Sequence, residues 1–217
     1  MKNIAVFSCI TGGYENPKEG QPFDKADFVL FTDDMSAETS WQKRQAVDLY
    51  KDPRRNARHH KLLPHLYLPE YNYHIWMDGC VRMKCDPQVL VDELGDADIL
   101  TCTHPDRNTL AAEAIECISK KRDHPQTIAD HLGRIVGDGF PDDIGLAETR
   151  MMIRRNNKAV RKFNREWFYQ LATGSLRDQM SFNYVVWKTG VKVKYMPAIN
   201  RGNEWFENIP HQKTTYG

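Results

Sequence analysis

Ile4-Ala5-Val6-Phe7-Ser8-Cys9-Ile10 is a nearly continuous apolar run, the pattern of a central strand covered on both faces. Thr11-Gly12-Gly13-Tyr14 follows as a tight turn, and residues 15–25, polar with Pro17, Gly20 and Pro22, read as a loop. Phe28-Val29-Leu30-Phe31 predicts a second strand ending in Thr32-Asp33-Asp34, and Gln45-Ala46-Val47-Asp48 a short third. Asp52-Pro53 opens a helix, with proline near its first position. That helix is expected to run through Arg55, Arg58, Lys61, Leu62 and Leu66 and to stop before Pro69. Ile75-Trp76-Met77 is a short buried-strand signal ending in Asp78-Gly79.

Asp98 to Thr103 reads as another strand, ending in His104-Pro105-Asp106-Arg107. Residues 108–121 predict a helix with Leu110, Ala111, Ala114, Ile115 and Ile118 on one side, and a second helical pattern covers 125–136. Leu146 to Arg154 fits a strand, and Lys158 to Leu171 a helix carrying Val160, Phe163, Trp167 and Phe168. Arg177-Asp178-Gln179 opens a helix with Phe182, Val185 and Val186 facing inwards, and Val191 to Met196 alternates as an edge strand. The last twenty residues, rich in Asn, Gly, His and Lys, read as a tail over the surface. Strands alternating with helices imply an α/β sandwich with a largely parallel sheet. A chain of 217 residues fits a single domain, 1–217.

Lys and Arg number 30 and Asp and Glu 29, which argues against a nucleic-acid partner, since that needs a basic excess. The five cysteines are odd in number and scattered, so they read as reduced thiols and not as a disulfide framework. The apolar run at the amino terminus is too short for a signal sequence or a membrane span. A soluble, cytoplasmic protein without a transmembrane segment is the expectation.

Strand ends supply the candidate chemistry. Open α/β sheets place their ligand crevice at the carboxyl ends of the strands, and Asp78 stands at such an end. Its carboxylate can hold a divalent cation or a sugar hydroxyl, although an ordinary Asp-Gly turn gives the same string. Gly12-Gly13 lets backbone approach a ligand closely, or simply turns the chain. Asp33 could hold a ribose or a base edge, or cap a helix. Asp52 to Lys61 is basic, with Arg54, Arg58 and Lys61 three or four residues apart and few acids beside them. On a helix those side chains are neighbours and suit a diphosphate, where a solvated face is the plainer reading. Of His59 and His60, at most one can face a site. His104 and Arg107 lie at a further strand end, with Glu113 in the following helix, and Asp178 at a helix start is either a functional acid or a cap.

Together these segments resemble a GT-A glycosyltransferase, in the family of glycosyltransferase-like domains long catalogued as a domain of unknown function, with plant and bacterial members. The resemblance rests on Thr11-Gly12-Gly13-Tyr14, Phe31-Thr32-Asp33, Asp52-Pro53-Arg54 through Lys61-Leu62-Leu63-Pro64-His65, Ile75 to Gly79, His104-Pro105-x-Arg107 and Arg177 to Phe182. It implies a single-domain GT-A-like fold. About residues 1–105 would bind a nucleotide-sugar donor, about 106–200 a glycan or other hydroxyl acceptor, and 201–217 would form the tail. On this resemblance Thr11, Gly12, Gly13, Tyr14, Asp33, Arg54, Arg58, Lys61, Asp78 and Gly79 contact the donor. His104, Arg107 and Gln179 contact the acceptor, and Asp78 and Asp178 serve catalysis, Asp178 as a base or an acceptor-orienting acid. The metal motif of such folds is Asp-x-Asp on the strand that Asp78 ends, and here Cys80 holds its third position. The implied manganese or magnesium would then rest on Asp78 with donor phosphates, Asp178 or His211; alternatively Arg58 and Lys61 neutralise the diphosphate without metal. A non-catalytic carbohydrate- or nucleotide-binding module is the second reading. A nucleotidyltransferase is the third, disfavoured by the lack of a long glycine-rich loop.

Overall fold

The computed structural model describes residues 3–15, 23–199 and 202–209. Along the chain come β1 (Ile4–Ile10), β2 (Ala26–Thr32), β3 (Gln42–Gln45), α1 (Pro53–Leu62), α2 (Pro64–Tyr67), β4 (Tyr73–Met77), β5 (Val81–Met83) and α3 (Pro87–Leu94). There follow β6 (Ile99–Thr103), α4 (Leu110–Ser119), α5 (Pro125–Gly137), β7 (Ala147–Arg155), α6 (Lys158–Thr173), α7 (Gln179–Thr189), β8 (Val193–Met196) and β9 (Phe206–Asn208).

Seven strands form one sheet in the order β3-β2-β1-β4-β7-β6-β8. β1 pairs in parallel with β2 and β4, β2 with β3, and β6 with β8. Within this sheet, among the described residues, only β7 runs against its neighbours, β4 and β6. The expected α/β sandwich around a mostly parallel sheet is therefore present. Because β7 is reversed, its first residues lie at the same edge as the carboxyl ends of β1, β2, β4 and β6.

Alternation along β1 divides the core. Ala5, Phe7 and Cys9 pack on one face with Leu62 of α1 and residues of α4 to α7. Ile4, Val6 and Ile10 pack on the other with Leu90, Val91 and Leu94 of α3, and with Val81, Met83 and Phe206 of the β5–β9 ribbon. Side chains pointing alternately to two covered faces explain why β1 is apolar throughout.

Several boundaries differ from the sequence reading. The third strand is Gln42–Gln45, three residues early, because this edge strand is polar and shows no apolar pattern. The helix begins as expected: Asp52 accepts from Arg54 N at 2.9 Å and Pro53 fills the first turn. It breaks at Leu63, where the following Pro64 disfavours helical backbone (φ −118°, ψ 44°), and restarts as α2. In α4, Ile115 is exposed and Glu113 and Cys117 are buried instead. The expected tail contains β9, whose Phe206 is fully buried. All five cysteines are free, and four are buried.

Candidate functional site

The crevice at the sheet edge is built from β1 inwards. Thr11 Oγ1 donates to Pro53 O at 2.7 Å, and Gly12 N donates to Asp33 Oδ2 at 2.7 Å. Gly12 has φ +68°, and a Cβ there would stand 2.7 Å from the Pro53 ring. Only glycine fits both demands. The turn after β1, the end of β2 and the start of α1 are thus one unit, and Asp33 serves it as a backbone acceptor.

Asp78 leaves the end of β4, its N–H held by Arg150 O at 2.8 Å. Its Oδ1 accepts from Trp76 Nε1 at 2.7 Å and from Lys61 Nζ at 3.2 Å. Among the described residues none donates to Oδ2, and the side chain is one-third exposed. The carboxylate is therefore fixed on one oxygen and open on the other. It lines a small cleft with Ser8, Leu30, Trp41, Gly79 and Val81.

Lys61 is deeply engaged. Its ammonium is 2.6 Å from Asp178 Oδ2, lies 3.4 Å from Thr149 Oγ1, and sits 5.4 Å from the Trp76 ring centre. Thr149 Oγ1 donates to Asp178 Oδ2 at 3.0 Å, and Arg58 Nε stands 3.7 Å from Asp178 Oδ1. Burial alone would raise the Asp178 carboxyl, but Lys61 and Arg58 outweigh it and hold the group far below its ordinary value. Arg54 pairs with Asp52 at 2.8 Å. The expectation that few acids neutralise this basic run is thus corrected: Asp52, Asp78 and Asp178 each take a cation from it. Nor does Asp178 cap α7 with its side chain. His60 faces no ligand site, being fully buried and stacked on Phe31 at 4.1 Å.

A bulge in β7 displays the next residues. The register against β6 jumps from Thr101↔Met152 to Cys102↔Glu148. The Thr101 hydroxyl lies 2.9 Å from Glu148 O and 2.8 Å from Met151 O and donates to either. Bulges re-aim side chains: here Thr149 turns to Asp178 and Lys61, and Arg150 to Glu148. Sequence reasoning missed Glu148, Thr149 and Arg150, because polar residues in a strand read as a solvated face.

Beyond β6, His104 Nδ1 accepts from Asp106 N and Arg107 N, both at 3.1 Å. Its Nε2 lies 2.9 Å from Arg107 Nη2 and 3.8 Å from Glu113 Oε2. Arg107 Nε donates to Glu113 Oε2 at 2.6 Å, and Arg177 Nη2 lies 3.9 Å from Glu113 Oε1 and donates to Gln179 Oε1 at 3.2 Å. His104, Arg107 and Gln179 are thus brought together around Glu113, while Tyr14 and Gly79 border the Asp78 side. His211 lies outside the described residues.

The donor set for a cation is thin. Cys80 is buried, and burial, with Asp78 beside it, pushes its thiol up to about 11. A neutral thiol is a poor ligand for magnesium or manganese. Among the described residues no three of His, Cys, Asp and Glu cluster to hold a metal ion. Asp78 offers one open carboxylate oxygen with a thiol two residues on, so the described residues do not fit a protein-held divalent cation.

Comparison with known proteins agrees with this architecture. The family model of the TOD1/MUCI70 glycosyltransferase-like domain matches residues 1–211. Alkaline ceramidase TOD1 of Arabidopsis thaliana is 24% identical over 162 residues, which cover 69% of this chain and 35% of that protein. The chain thus spans about a third of the length of that curated relative. The apo structure of the bifunctional glycosyltransferase WbbM superposes with a TM-score of 0.52 at 12% identity, over 90% of this chain and 38% of that one. At that identity the likeness is one of fold, and the fold is GT-A-like. The chain belongs to the TOD1/MUCI70 glycosyltransferase-like family.

Proposed function

We propose that this member of the TOD1/MUCI70 glycosyltransferase-like family transfers a sugar from a nucleoside diphosphate to a hydroxyl acceptor, a glycan. The observation that carries the reading is the Asp78 carboxylate at the crevice, pinned through Oδ1 and open through Oδ2. A pre-oriented acceptor of this kind holds a donor hydroxyl in one position without reorganising at the moment of reaction. Gly12, Gly13 and Tyr14 would line the nucleotide, with Thr11 and Asp33 holding their turn in place.

In the transfer, the bond from the anomeric carbon to the donor phosphate oxygen breaks, and a bond to the acceptor oxygen forms. The acceptor proton passes to a base, and the nucleoside diphosphate leaves. Asp178 fits a positioning role better than that of the base. A useful base titrates near the working pH, whereas Asp178 is buried and held ionised by Lys61. Through Lys61 it fixes Asp78. His104, Arg107 and Gln179, at the end of β6 and the start of α7, would form the acceptor side.

A thermal-shift screen of nucleotide sugars tests the reading, because a ligand at a hundred times its Kd stabilises by about 2.7 kcal/mol. At least one donor should raise the melting temperature and be turned over, and Asp78→Asn should abolish both effects while leaving the fold intact. Binding without turnover for every acceptor tried would favour a carbohydrate- or nucleotide-binding module. Cleavage of ceramide, the activity for which the Arabidopsis relative is named, without any sugar transfer would overturn the reading.

A further inference from the structure

We infer that Arg150, and not a protein-held divalent cation, neutralises the donor diphosphate at this site. The inference rests on the donor-site reading above and adds a residue and a charge mechanism to it.

Three observations converge on Arg150. Its place comes first: Arg150 O accepts the Asp78 N–H at 2.8 Å, so its residue lies directly beside the carboxylate that faces the crevice. Its side chain is the second. Glu148, Cys80 and Asp78 all lie within electrostatic reach of the guanidinium. A positive group therefore lies near the crevice carboxylate, and Cys80, two residues on from Asp78, supplies no second acid. The third is its support. Glu148, itself 4% exposed, ion-pairs with the guanidinium, and its other oxygen accepts from Ile199 N at 3.3 Å. A carboxylate so anchored fixes the orientation of the guanidinium plane. It takes the Nε and Nη2 edge, and a planar fork keeps a further edge for phosphate oxygens.

Lys61 cannot take this part, since its side chain is 4% exposed and its ammonium is already shared among Asp178, Asp78 and Thr149. Arg150 is 23% exposed and reaches solvent. With a diphosphate bound, the Arg150 fork offers charge-assisted hydrogen bonds that strengthen as negative charge builds on the departing phosphate.

Calorimetric titration with UDP, GDP, uridine and guanosine, in EDTA and again in manganese, tests the inference. One of the diphosphates should bind wild-type protein in EDTA, with manganese changing its affinity by less than about threefold, within the scatter of single interactions. Arg150→Gln should weaken that diphosphate by about ten- to a hundredfold, the worth of a hydrogen bond to a charged group, and leave the nucleoside unaffected. Arg150→Lys should recover part of the loss. Because Arg150→Gln strands the buried Glu148, the double variant Glu148→Gln/Arg150→Gln is measured beside it, with melting curves as the folding control; it should show the same selective loss. Diphosphate binding that requires manganese, or that survives both substitutions in folded protein, overturns the role of Arg150 while leaving the donor site standing. Failure of the wild type to bind any of the four compounds in either buffer overturns the donor site and this inference together.

Discussion

Lys61 is the residue on which the site turns. It joins Asp78, 17 positions along the chain, to Thr149, 88 positions away. Its charge also compensates Asp178, a carboxylate 3% exposed. Breaking such a buried pair by removing one partner leaves an uncompensated charge and costs about 3–5 kcal/mol. Lys61→Met should lower unfolding stability by that order in urea titrations. Adding Asp178→Asn should restore much of the loss, so that the double variant is more stable than the sum of the single effects requires. Strict additivity would show that the two groups are not coupled. The sequence singled out Lys61, Asp78 and Asp178 separately, from strand ends and helix spacing. It could not show that the first binds the other two, because nothing local records a contact between α1 and the start of α7.

At the level of elements, what was legible followed from how each element is stabilised. β1 and β4 are covered on both faces, so their apolar runs betray them, and α1 carries its own start signal in Asp52-Pro53. β3 stayed hidden because an edge strand of Gln42-Lys43-Arg44-Gln45 has no apolar face to show. The bulge in β7 is a property of pairing and has no signature in β7 alone, which is why Glu148, Thr149 and Arg150 escaped notice. Thr101 is the residue across the sheet that bridges the bulge. Thr101→Val keeps the shape and removes the hydroxyl, leaving buried carbonyls short of a donor. That change should destabilise by about 1–2 kcal/mol. It should also reduce diphosphate binding without touching any group at the crevice, since Thr149 and Arg150 would lose their fixed aim. Unchanged binding in a folded Thr101→Val protein would show that the bulge is held by pairing alone.

For the whole molecule, the two packed faces of the sheet must hold together through acid, and buried histidines set how far. His60 accepts from Val47 N at 3.1 Å, His74 Nε2 donates to Leu68 O at 2.8 Å, and His131 accepts from Ser175 N at 3.0 Å. All three are fully buried. Burial pushes His60 and His74 down to about 3 and His131 to about 4, and His65 moves in the same direction, to about 4. Each value lies below that of the unfolded chain, near 6.5. Between these limits the unfolded state binds a proton that the native state refuses, so stability falls as pH falls through the window and is fully present above it. By pH 5 the loss is on the order of 2 kcal/mol for each of the three fully buried rings, a large share of a typical 5–15 kcal/mol. Asp178 acts lower down: its value is depressed from 3.8, so its contribution persists to that point and fades only beneath it. The urea midpoint should therefore drop steeply between pH 6.5 and 5, where only the histidines of this set respond. In His74→Leu protein the same drop should be shallower by about one proton. A midpoint that stays level over that range, or a slope unchanged by His74→Leu, would mean that these rings take up protons in the folded state.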